Sequence, residues 1–219
     1  MTLRHFALSI LLVVTACDTP TGARPDAAYD PTTLTGGLLY RWHSGTTIRV
    51  WTVSSAAGTS MDLGLAVRQA IVRWNAVPQF AEFTLTAATS IRDASVVVYD
   101  AENAAPVSPG SCQFDPRSSA GYTYFCPGGG APRQAERLAV ANGGGGVVTV
   151  VIRVDRGRAS SQSTYNAIVA HEFGHALGIG AHSDVSTDLM FGLPAVERPS
   201  IRDIATLRAV LGRPPGLTL

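Results

Sequence analysis

The chain has 219 residues, 46% of them hydrophobic and 15% charged, with a formal net charge of +1. That length holds one compact domain with a full core once a targeting segment and a tether are set aside, and the near-neutral balance excludes the broad basic surface of a nucleic-acid binder. All 17 basic residues are Arg, scattered rather than striped, and no apolar run approaches the roughly 20 residues that span a bilayer.

Arg4 precedes the apolar stretch Phe6 to Val14 and then small residues ending at Cys17, which gives residues 1–16 the architecture of a signal peptide. The run Val14-Thr15-Ala16-Cys17 resembles the lipobox of bacterial lipoproteins. The resemblance implies that Cys17 is lipidated as the first mature residue and holds an extracytoplasmic protein to a bacterial membrane or cell surface; an ordinary secretory signal is the alternative. With Cys17 acylated, Cys112 and Cys126 remain and can pair as a disulfide in an oxidising compartment. Residues 17–40 form the lipidated Cys and a tether, because the stretch from Asp18 to about Gly37 is rich in Thr, Pro, Gly and Ala and nearly empty of large apolar residues.

The folded domain is expected over 41–219, starting near Trp42. Thr47 to Val53 alternates branched or aromatic residues in the manner of a strand. Leu63, Val67, Ala70, Ile71 and Trp74 then recur three or four apart on one face of a helix, with Asp62 as its N-cap. Phe83 to Thr86 and Ser95 to Tyr99 are two more strands, the second nearly continuous in Val and so central in a sheet. Asn103 to Arg133 shows no regular pattern and reads as a long loop that a Cys112–Cys126 bridge would constrain by about 3 kcal/mol. Leu138 to Ala141 is expected as a short edge strand, Val147 to Val154 as a buried one, and Ser163 to Leu177 and Ile201 to Leu211 as helices. The fold class is α+β, a twisted mixed sheet with a helix behind it and a smaller, mostly irregular C-terminal part. Trp42, Trp51 and Trp74 read as core.

The segment from His171 to His182 carries the chemistry. On a helix His171 and His175, four apart, offer two imidazoles to one metal, and Glu172 sits beside them facing the open coordination position. A catalytic Zn2+ takes three protein ligands and leaves a fourth site for water, whose proton the Glu accepts and later delivers to the leaving amine. Gly178 ends the helix where a positive φ is wanted, and His182 follows in the turn as the third ligand, with Asp184 as its rival. His43 is a surface or strand residue rather than a ligand, and Glu197, close to Pro199, is badly placed to act as a downstream helical ligand.

With Ala170 to Gly178, Leu189-Met190-Phe191 and Ser200 to Ile204 in view, the chain resembles the metzincin clan and, within it, the matrixin (matrix-metalloproteinase-like) family, over essentially Trp42 to Gly212. The resemblance implies a zinc endopeptidase with Met190 in a Met-turn beneath the metal. It also implies a protein or peptide substrate laid along an edge strand, here Leu138 to Ala141. His182 stands one residue later than the family's third ligand, but its eight-residue interval to Met190 is that of the family, which favours it over Asp184. No Ca2+ or structural-zinc loop signature is visible between Asn103 and Arg133, so Ca2+ receives no residues. We expect a monomeric lipoprotein protease; the alternative is an inactive protein of the same fold acting as a binding module, against which the retained Glu172 argues.

Overall fold

The computed structural model describes residues 27–35, 37, 39–42, 44–53, 60–77, 82–102, 119–127, 138–140 and 148–212. Cys17, His43, Cys112 and the side chain of Cys126 lie outside this set, and the lipidation and disulfide expectations with them. The architecture is α+β: strands β1 (Tyr40–Trp42), β2 (Thr46–Thr52), β3 (Phe83–Ala87), β4 (Val96–Asp100), β5 (Gly121–Pro127), β6 (Leu138–Val140) and β7 (Val148–Val154), with helices α1 (Leu63–Asn75), α2 (Gln162–Ala176) and α3 (Ile201–Leu211).

Five strands form one mixed sheet in the order β3-β2-β4-β7-β5, all parallel except β5, which runs antiparallel to β7. The Val-rich β4 lies between β2 and β7 and is buried at every residue, as its lack of polar alternation requires. Val96 and Val98 face the main core, whereas Tyr99 packs with Tyr124 and Val151 in a small second cluster. Helix α1 begins where the Asp62 side chain accepts from Leu65 N at 2.9 Å, and it buries Leu63, Ala66, Val67, Ala70 and Trp74. Trp74 then ties α1 to α2, its indole N–H donating to the Ala170 carbonyl at 2.9 Å. Helix α2 is buried without a break from Tyr165 to Gly174, so it is a central element rather than an amphipathic surface helix. Trp42 and Trp74 are core residues; Trp51 is only half-buried.

Two boundaries differ from the sequence reading. The strand Leu138–Val140 pairs antiparallel with β1 in a separate two-stranded sheet, and the edge strand beside the α2 end of the main sheet is β5, inside the stretch read as a patternless loop. Its Gly-Tyr-Thr-Tyr-Phe alternation is short and becomes a strand through its ladder with β7. Residues 29–35, 37 and 39, read as tether, dock on the domain. Tyr29 N donates to Thr206 Oγ1 at 3.0 Å, Leu34 N to the Gly180 carbonyl at 2.8 Å, and Leu39 is fully buried. The backbone amides of Tyr29 and Leu34 and the Tyr29 hydroxyl hold that segment through bonds to partners about 150 residues away or more, which composition cannot reveal.

Candidate metal centre

Helix α2 starts at an N-cap, Ser161, whose side chain accepts from Thr164 N, and ends at Ala176; Gly178 follows with φ +116°, the left-handed conformation expected of it. That reversal returns the chain past the C-terminal end of α2 and brings His182 to His171 and His175. The three ligand-capable nitrogens lie within 4.8 Å of one another. His175 Nε2 and His182 Nε2 are 3.3 Å apart, which matches the edge of a tetrahedron with metal–nitrogen bonds of about 2.0–2.1 Å.

The two helical imidazoles are oriented from behind. His171 Nδ1 lies 2.7 Å from the Leu189 carbonyl and His175 Nδ1 2.6 Å from the Ile179 carbonyl. A carbonyl only accepts, so each Nδ1 carries the proton and each Nε2 presents a lone pair. Burial holds all three imidazoles below their ordinary pKa; at His171 and His175 the neighbouring histidines add to the effect. The set is therefore neutral at pH 7, the state in which imidazole ligates a metal.

Glu172 is buried beside this cluster, and the Thr123 hydroxyl of β5 donates to its Oε2 at 2.7 Å. Burial pushes its carboxyl up to about 8, with the Thr123 bond opposing. Met190 is fully buried with its sulfur against Gly174, so the loop after His182 does pack beneath the helix that carries the first two histidines. Asp184 stays apart. It is exposed, and its Oδ1 pairs with Arg202 Nη2 at 2.7 Å, so the structure brings His182 and not Asp184 to the cluster. Glu197 is likewise elsewhere, bound to Arg73 and Ser163.

Three residues that the sequence reading passed over hold the site together. Asp203, wholly buried, accepts from Leu189 N at 2.9 Å, Met190 N at 3.3 Å and the Tyr29 hydroxyl at 2.9 Å. It thereby fixes Leu189, the residue that orients His171. Its capping box with Ser200 is legible as Ser-x-x-Asp before an apolar run. Arg202 binds Asp188 at 3.3 Å, Asp188 in turn accepts from the Ser183 hydroxyl, and Ser183 N donates to the Met190 carbonyl at 2.8 Å. Thr123 is the third, and only the strand that carries it could have pointed to it.

A cleft of about 580 Å³ opens over Glu172, His175 and His182, between β5 and the segment around Leu34 and Tyr40. No helix among the described residues is long and apolar enough to cross a membrane. Compared with protein-family models and with curated proteins, the chain matches none.

Proposed function

We propose that the chain is a zinc-dependent endopeptidase that hydrolyses peptide bonds of extracytoplasmic proteins, with His171, His175 and His182 as ligands and Glu172 as general base. The observation that carries this reading is the convergence of three neutral imidazoles, two with Nδ1 fixed by carbonyls, next to a buried carboxyl at the floor of an open cleft. A three-nitrogen donor set with an open side fits Zn2+ of the catalytic kind. When bound, the ion would supply Lewis acidity, polarising the scissile carbonyl and easing deprotonation of water.

The chain's own residues would do the rest. With its pKa lowered by the charge of the bound cation, Glu172 would stay ionised, accept the proton of the attacking water and return it to the departing amine nitrogen, with Thr123 keeping one of its oxygens in place for that. An extended peptide would lie along β5, the antiparallel edge of the main sheet, and add to it as a strand. The metzincin and matrixin resemblance belongs to the same proposal, with Met190 as its Met-turn residue. So does the lipid anchor at Cys17.

Glu172→Ala tests the reading, since the change removes proton transfer and leaves the ligands. The variant should fold, keep one zinc per chain and lose chelator-sensitive cleavage of casein by about 10²–10⁴-fold. Undiminished turnover in it would end the mechanism.

A further inference from the structure

We infer that residues 30–35 form a strap that positions His182 by gripping Gly180, two residues before it, so that the seating of the strap and the binding of metal are coupled. The inference rests on His182 being a ligand, as read above, but is carried by contacts outside the histidine cluster. His171 and His175 each have Nδ1 on a carbonyl. Among the described residues none bonds to Nδ1 of His182, so that imidazole takes its place from the backbone on either side of it. Downstream, Ser183 N donates to Met190 O at 2.8 Å; upstream, Leu34 N donates to Gly180 O at 2.8 Å.

Gly180 is fitted to the strap. Its φ lies outside the left-handed range that Gly178 occupies, so its backbone conformation does not ask for glycine. Space does: a Cβ there would stand 2.5 Å from Thr35 Cγ2, 2.9 Å from the Pro31 carbonyl oxygen and 3.1 Å from Thr35 Oγ1. The strap also has a shape of its own. Asp30 Oδ1 accepts from Thr32 N at 2.9 Å and Thr32 Oγ1 at 2.7 Å, and Thr32 O accepts from Thr35 N and Thr35 Oγ1, both at 3.0 Å. Pro31 and Thr32 are buried. The loop from Gly178 to His182 is one residue longer than the matrixin pattern it resembles, and Gly180 is its middle residue. The strap thus holds backbone that the extra length would otherwise leave slack.

Coupling is reciprocal: if the strap favours zinc, zinc must hold the strap closed by the same factor. Amide hydrogen exchange of the full chain, stripped and zinc-loaded, reads this directly. Leu34 N should exchange at least about tenfold more slowly with zinc, whereas Gly45 N, which donates to Glu82 O beside β3 at the far edge of the sheet from β5, should be indifferent. Gly180→Ala should lower zinc affinity about tenfold or more in chelator competition, and adding Thr35→Ser, which removes the nearest methyl, should restore part of it. A Leu34 amide no more responsive to zinc than that of Gly45, or a Gly180→Ala chain with the parent's zinc affinity, overturns the inference; the first measurement needs no variant to fold. Zinc uptake that protects Leu34 in an unmutated chain that cleaves nothing leaves the strap standing and removes the hydrolytic reading. Cleavage with an indifferent Leu34 does the reverse.

Discussion

Gly174→Ala tests the contact on which the candidate metal centre rests. In an isolated helix the change would stabilise by up to about 1 kcal/mol, because Gly is the poorer helix former. Here the added methyl would be driven into the Met190 sulfur and would stand 3.1 Å from both the Met190 methyl and the Trp74 ring. All three neighbours are buried, and overpacking of this kind costs about 1–3 kcal/mol; with contacts this short we take the upper half, so the net effect is a loss of about 1–2 kcal/mol. The consequence should reach the metal. Displacing Met190 moves Leu189, whose carbonyl orients His171, so zinc affinity should fall by about tenfold or more. Urea unfolding of the chelator-stripped protein and competition with a chromophoric chelator measure the two effects. In a double-mutant cycle, Met190→Ala should open room for the new methyl and show a favourable coupling of about 0.5–3 kcal/mol. A Gly174→Ala protein that is more stable than the parent, with unchanged zinc affinity, would refute the contact.

His182→Ala should lower zinc affinity by about tenfold or more, whereas Asp184→Ala, which frees one Arg202 contact on an exposed carboxylate, should leave it unchanged; isothermal titration separates them, and the reverse result makes Asp184 the ligand. Metal-free protein should be weakened from both sides in pH. Burial raises the Glu172 carboxyl from 4.5 to about 8, so the stability it contributes is complete in acid and is lost as pH rises through 8, about 3 kcal/mol between pH 5.5 and 9. The histidines, held below their ordinary value, act oppositely and cost stability as pH falls below 6.5. In Glu172→Gln only the histidine contribution remains, so between pH 5.5 and pH 9 the urea midpoint of stripped protein should rise relative to the parent's; a change with pH equal to the parent's would contradict the assignment.

Much of the site was legible in the chain because its signals are local. Leu63, Val67, Ala70 and Trp74 mark one face of α1, Asp62 caps it, and His171 and His175 share a helix face through a spacing that any α-helix imposes. Gly178 announced its positive φ, and the Ser200-to-Asp203 pair carries the spacing of a capping box that the sequence reading did not use. The unbroken Val run foretold the central place of β4.

Tertiary structure alone decided what depends on distant partners. β5 is a strand because β7 offers it a ladder, and its identity as the edge beside Glu172 follows from sheet order, which period-two alternation over a few residues does not specify. Tyr29 and Leu34 belong to the domain because Thr206, Asp203 and Gly180 receive their hydrogen bonds, although the same segment taken by composition has too little apolar surface to fold. Between His182 and Asp184, two residues apart on one turn, the interval to Met190 favoured His182, but only the fold shows where the carboxylate goes. Arg202, 18 residues beyond Asp184, draws that carboxylate outward and leaves the imidazole to complete the cluster, because an ion pair forms between whichever groups the fold brings within reach.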